Sequence, residues 1–164
     1  MSLWAQEAPS NEYFKELFRV SMNQVIWGGN YFQTKINMDS QCWLVWDKEN
    51  NSNKYADCEM AWTSFNKATR IFRFMWNGML QGNMKNKENR IHPTQKPVAL
   101  YNWILKNYAH NGDKILDTHV GSASSLIACH RAGLEYWGFE IDPTYYKAAK
   151  ERLDRETAQV RMEF

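Results

Sequence analysis

Apolar residues recur along the chain at two periods, and the change of period marks the elements. From Ser10 to Val20, Tyr13, Phe14, Leu17 and Phe18 share one face at helical spacing, which predicts an amphipathic helix capped by Ser10. Gln24-Val25-Ile26-Trp27 is a short apolar run stopped by Gly28-Gly29, so it predicts a buried strand and a tight turn through Asn30-Tyr31-Phe32. Cys42 to Trp46, ending at Asp47, predicts a second strand, and Met60 to Phe65 a third. Arg70 to Trp76 alternates loosely, as an extended edge segment does. From Asn77 to Ile91 the pattern dissolves into a flexible loop of Asn and Lys with Gly78 and Gly82.

The last third is the most regular. Pro97 suits the first turn of a helix whose apolar face is Tyr101, Ile104, Leu105 and Tyr108, ended by Asn111-Gly112. Lys114 to Asp117 predicts a strand, Thr118 to Ser122 a loop, and Ser124 to Arg131 a helix closed by Gly133. Tyr136 to Glu140 predicts another strand, and Asp142-Pro143 opens a final helix with Asp142 as its cap. This order predicts adjacent parallel strands joined by a right-handed crossover. The 164 residues read as a single domain, with a small basic insertion around residues 66–91.

Composition narrows the class. No apolar run is long enough to span a bilayer, and no charged-then-apolar leader opens the chain, so a cytoplasmic protein is expected. Cys42, Cys58 and Cys129 stand far apart and match no zinc spacing, so free thiols and no metal are expected. The eight tryptophans read mainly as core. Charge changes the picture more. Between Ser64 and Pro97 stand seven basic residues, Lys67, Arg70, Arg73, Lys85, Lys87, Arg90 and Lys96, against one acid, Glu88. That stretch carries +6 in a chain of net +2, leaving −4 elsewhere. A local excess of this kind is what phosphate contact needs, so Lys67, Arg70, Arg73, Lys85, Lys87 and Arg90 are the candidate DNA-binding residues.

The two acidic strand ends carry the candidate chemistry. Ligands of an open parallel sheet sit beyond the carboxyl ends of its strands. Asp117 closes one strand, Gly121 then allows close backbone approach, and the next helix begins with its positive end toward the loop. Glu140 closes the following strand, where a carboxylate can accept both hydroxyl hydrogens of a ribose. The loop from Asp117 to Ser125 holds one glycine, a poor cradle for a pyrophosphate. That disfavours a nicotinamide-dependent oxidoreductase and suits S-adenosylmethionine, which has a ribose and an amino-acid end but no phosphate. Asp142 reads as a helix cap, and His119 as a loop residue beside the ligand rather than a general base.

These residues, together with His92-Pro93-Thr94-Gln95-Lys96-Pro97, resemble the amino-group DNA methyltransferases, which modify adenine N6 or cytosine N4. The motif order resembles that family's beta class, in which the cofactor motifs come last, and Ile26 to Phe32 and Trp43 to Lys48 resemble its phage-like members. Where the family usually reads Asp-Pro-Phe-x-Gly-Ser-Gly-Thr, this chain has Asp117-Thr118-His119-Val120-Gly121-Ser122-Ala123-Ser124, without the proline and the second glycine. Phe139-Glu140-Ile141-Asp142 matches the ribose-binding strand end. The resemblance implies a Rossmann-like α/β methyltransferase fold in three αβα layers. It also implies S-adenosylmethionine as cofactor, held by Asp117, Thr118, His119, Gly121, Ser122 and Glu140, with Asn30, His92, Thr94 and Lys96 toward its methionine end. The implied partner is double-stranded DNA, and a homodimer is conceivable by analogy.

The family's catalytic motif, Asp/Asn/Ser-Pro-Pro-Tyr/Phe/Trp, has no match, because Pro9, Pro93, Pro97 and Pro143 are all isolated. In the family's order that motif would precede Met1. The expectation is therefore an N-terminally truncated domain short of one strand, with no identified catalytic residue and no activity alone. The alternative is a noncatalytic DNA- or cofactor-binding module derived from the same family.

Overall fold

A computed structural model of the protein describes residues 8–50, 55–77 and 79–158, so Met1-Ser2-Leu3 and Gly78 lie outside the described residues. The chain divides into two compact units, Met1–Gly82 and Asn83–Phe164.

The first unit begins with helix α1, Asn11–Val20, whose N-cap Ser10 accepts from the Tyr13 amide at 3.2 Å. Its apolar face seats Phe14 beside Ile36 and Trp62, with Tyr13, Leu17, Phe18, Ile26, Phe32 and Trp43 around them. Strand β1, Val25–Trp27, leads into a 3-10 turn at Gly29–Tyr31 and a one-turn helix α2, Gln33–Ile36. Strands β2, Leu44–Asp47, β3, Cys58–Thr63, and β4, Arg70–Arg73, complete a four-stranded sheet in the order β1-β3-β2-β4. β3 runs antiparallel to both neighbours, while β4 lies parallel to β2 at the edge. The loose alternation of Arg70 to Trp76 is explained by that position: only β4 pairs with the sheet, and Trp76–Asn77 is β5 of a small hairpin with β6, Leu80–Gln81. The pattern-free loop expected from Asn77 thus opens with two short strands. The tryptophan core is real here, since Trp46, Trp62 and Trp76 are buried.

The second unit opens with α3, Val98–Tyr108. Pro97 stands one position earlier than expected, at the N-cap, and the helix stops at Tyr108 rather than at Asn111-Gly112, which form a later turn. Strand β7, Lys114–Asp117, leads to α4, Ser124–Ala132, which is closed by Gly133 in the left-handed conformation. Strand β8, Glu135–Gly138, pairs parallel with β7, and α5 follows as Pro143–Ala158. Val98, Ile127 and Ala128 form one apolar cluster, and Ala123, Leu126 and Ala149 a second, with Leu153 packed against both. Burial pushes the Cys129 thiol up to about 12, so it is an inert core residue and no nucleophile.

Candidate cofactor site

The loop between β7 and α4 is shaped by what its acids accept. Asp117 Oδ1 accepts from the His119 amide at 2.9 Å, and Oδ2 accepts from the Ser125 hydroxyl in the first turn of α4. Asp117 therefore pins both ends of the loop and is partly spent on its own scaffold. Gly121 takes φ +55, and a Cβ there would lie 3.3 Å from the His92 ring. Ala123 takes φ +62, a left-handed conformation that costs an L residue about 1–2 kcal/mol. It stands where the resembled motif has its second glycine, so the loop keeps the bend without the residue that adopts it freely.

Glu140 lies two residues beyond the end of β8, where sequence reading had placed it in the strand. Its Oε2 accepts from the Gly121 amide and its Oε1 from the Asp142 amide, both at 2.9 Å. Each carboxylate oxygen can accept more than one hydrogen bond, so both keep capacity for a ligand. On either side, Phe139 is 63% and Ile141 84% exposed, an apolar surface flanking a carboxylate. Asp142 is the helix cap expected, since its Oδ1 accepts from Thr144 and Tyr145 at 2.8 and 3.1 Å.

The His92 to Pro97 segment belongs to the same unit, and the structure brings His92 to this loop. His92 is buried, its ring 4.3 Å from that of Tyr145 and beside Gly121. Nδ1 accepts from the Thr94 amide at 3.3 Å, and the Thr94 hydroxyl lies 3.1 Å away. Thr94 is thus engaged in holding the ring. Burial lowers the His92 pKa from 6.5 more than the neighbouring Glu140 charge raises it. The folded protein then binds this proton less readily than the unfolded chain does, so the stability from neutral His92 is complete above its ordinary pKa. That stability is lost as the pH falls below it. The thermal midpoint is expected to decline between about pH 7 and pH 5 less steeply in His92→Gln than in the wild type. Identical slopes in the two would contradict this.

The other expected residues separate. Thr118 and His119 hydrogen-bond each other at 3.0 Å, and His119 is exposed at the loop. Ser122 is buried, its hydroxyl 3.0 Å from that of Ser124, so it faces the scaffold. Lys96 is half-buried in the His92 segment, while Asn30 stands in the 3-10 turn of the first unit. Of the basic residues, Lys67, Arg70, Arg73, Lys85, Lys87 and Arg90 are all exposed, with Arg73 paired to Asp47 at 3.4 Å. Sequence reading missed Tyr145, Gln95 and Arg152. Gln95 is buried and braces its segment, accepting from Ile91 at 2.9 Å and donating to the Asn89 carbonyl at 3.1 Å. Among the described residues no cluster of three or more metal-ligating side chains occurs, and no helix is long and apolar enough to cross a membrane.

Comparison with solved structures defines the class first. The fold matches that of the crystal structure titled an M1.HpyAVI–SAM complex, with TM-score 0.66 and 19% identity over 88% of this chain and 81% of that one. It also matches TTHA0409 of Thermus thermophilus, a DNA modification methylase complexed with S-adenosyl-L-methionine, with TM-score 0.65 and 18% identity over 92% and 77%. The fold is the Rossmann-like α/β fold of DNA methyltransferases. The DNA methylase family N6_N4_Mtase matches residues 18–151, and the chain belongs to that family. Type II methyltransferase M.HpaI of Haemophilus parainfluenzae is 41% identical over 71 residues, which are 43% of this chain and 23% of that protein. Type II methyltransferase M2.LlaDCHI of Lactococcus lactis subsp. cremoris is 29% identical over 114 residues, 68% of this chain and 41% of that protein. The matched stretches thus span less than half the length of these relatives.

Proposed function

We propose that this chain is the cofactor-binding and DNA-facing part of a methyltransferase that transfers a methyl group from S-adenosylmethionine to an exocyclic amine of adenine or cytosine in double-stranded DNA, in the cytoplasm. The observation that carries the reading is Glu140: a carboxylate beyond a parallel strand, oriented by two backbone amides, with acceptor capacity left for a ribose. The residues fit the cofactor elsewhere too. Phe139 and Ile141 offer apolar surface to an adenine ring, and α4 directs its N-terminal end toward the loop. Bound there, the sulfonium cofactor supplies an electrophilic methyl group. The chain's own residues hold it: Glu140 fixes the ribose, Asp117 sets the loop, and His92 packs against Gly121.

Calorimetric titration of the chain with S-adenosylhomocysteine tests the reading, and saturable one-to-one binding is expected. Heats no different from those of dilution would refute it. Because no two prolines are adjacent, transfer is measured separately with labelled cofactor and duplex DNA. Binding without transfer would favour the noncatalytic module.

The basic stretch is assigned to phosphates. DNA affinity should fall log-linearly with salt, and replacing both Lys85 and Lys87 with glutamine should reduce that slope by about 2. Arg73→Gln should change it less, because Arg73 already faces Asp47. Fluorescence anisotropy across a salt series checks both, and an unchanged slope in the double variant would remove these lysines from the interface.

A further inference from the structure

Four segments of the second unit meet at one guanidinium. Arg152, on α5, is 6% exposed. Its Nη2 donates to Glu88 Oε2 at 2.6 Å, and its Nη1 donates to the Ser122 carbonyl at 2.8 Å and to Ser124 Oγ at 3.0 Å. Glu88 Oε1 accepts from the Val98 amide at 2.9 Å, at the start of α3. One ion pair thus joins the basic stretch, α3, the β7–α4 loop and α4.

Such a pair is an inefficient way to stabilise a fold. Desolvating two charges offsets much of their attraction, and apolar side chains of similar size would serve as well. A planar guanidinium does something that apolar packing cannot, because its fork fixes direction as well as distance. Here that direction is imposed on the Ser122 carbonyl. This peptide group lies between Gly121 at φ +55 and Ala123 at φ +62, the two left-handed residues of the loop. A backbone in that conformation persists only when its surroundings hold it. The Gly121 amide in turn orients Glu140.

We infer that Arg152 is the positioning residue of the cofactor loop, and that Glu88 holds Arg152 in place. The inference rests on the reading of this loop as the cofactor site. Arg152 acts through the Ser122 carbonyl and Ser124, not by touching the cofactor. It also explains the lone acid of the basic stretch: Glu88 there is a partner for a buried cation, not a reduction of the surface charge.

The test uses the full chain with Arg152→Gln, Arg152→Lys and Glu88→Gln, beside the core variant Ile127→Val as a control for stability. Each is titrated with S-adenosylhomocysteine, and amide hydrogen exchange is followed at Val120, Gly121 and Ala123. Arg152→Gln and Glu88→Gln should each weaken binding about tenfold, the size of one lost charge-assisted hydrogen bond, with faster exchange at those amides. Arg152→Lys should recover part of the loss, because it keeps the charge but not the fork. Ile127→Val should lower the thermal midpoint without changing affinity. Wild-type affinity in a folded Arg152→Gln, or a loss no larger than in Ile127→Val, would overturn the role. Should Arg152→Gln not fold, Glu88→Gln decides by the same criteria. If the wild-type chain binds no S-adenosylhomocysteine, the cofactor reading fails on its own. The exchange rates then decide the positioning role, and unchanged protection at the three amides overturns it.

Discussion

Glu140→Ala is expected to lower the affinity for S-adenosylhomocysteine by about 100-fold or more. The expected loss is two hydrogen bonds from a carboxylate to the ribose, each contributing about 1.5–3 kcal/mol when the acceptor is charged, and about 1.4 kcal/mol is a factor of ten. The substitution also frees the Gly121 and Asp142 amides, which now share this carboxylate. Loop order and ligand contact fail together. Glu140→Gln separates the two effects, because its amide group keeps one acceptor oxygen for a backbone amide but loses the charge. Its affinity should fall between wild type and alanine. The measurement is calorimetry, with circular dichroism to confirm folding. Wild-type affinity in Glu140→Ala would show that the ribose is not held here.

Gly29→Ala should produce the largest loss of stability, about 3 kcal/mol for overpacking against a rigid wall. A Cβ at this position would sit 2.5 Å from Trp62 Cβ and 2.8 Å from the Trp62 backbone nitrogen. Neither atom can yield. Trp62 lies in β3 between β1 and β2, and its indole donates to the Met38 carbonyl at 3.0 Å. The chain crosses β3 this closely because the Gly28 amide donates to the Met60 carbonyl at 2.8 Å. Gly28→Ala is the instructive contrast. Gly28 takes φ +72 but has only ordinary 3.6 Å contacts, so alanine there costs about 1–2 kcal/mol of backbone strain and no clash. Urea denaturation of the two variants checks the order, and equal losses would mean that Trp62 is free to move.

The elements that were legible in the sequence are those in which local signals agree. In α1, Ser10, an acid in the first turn and one apolar face all point to a helix, and the cap forms as expected. In the second unit, the β-loop-α-β-α order is set by strand-length apolar runs, Gly133 and Asp142-Pro143. Legibility failed where long-range pairing decides. The antiparallel insertion of β3 between β1 and β2 leaves no local trace, because an apolar run does not name its neighbour. The position of Pro97 and the earlier end of α3 are boundary effects, decided by the Glu88 side chain at the Val98 amide and by a turn at Asp113.

The sequence by itself determined the family and the chemical type of the site. Asp117, Gly121, Glu140 and the His92 to Pro97 segment are identities at fixed spacings, and spacing along the chain is a property of the sequence. The tertiary structure decided which of those residues face the loop's own scaffold and which remain open to a ligand. Ser122 and Thr94 turned inward, while Glu140 kept acceptor capacity. It also brought Glu88 and Arg152 together from 64 residues apart. No pattern of period 2 or 3.6 encodes such a pair, because the desolvation that makes it matter exists only once the two segments have packed.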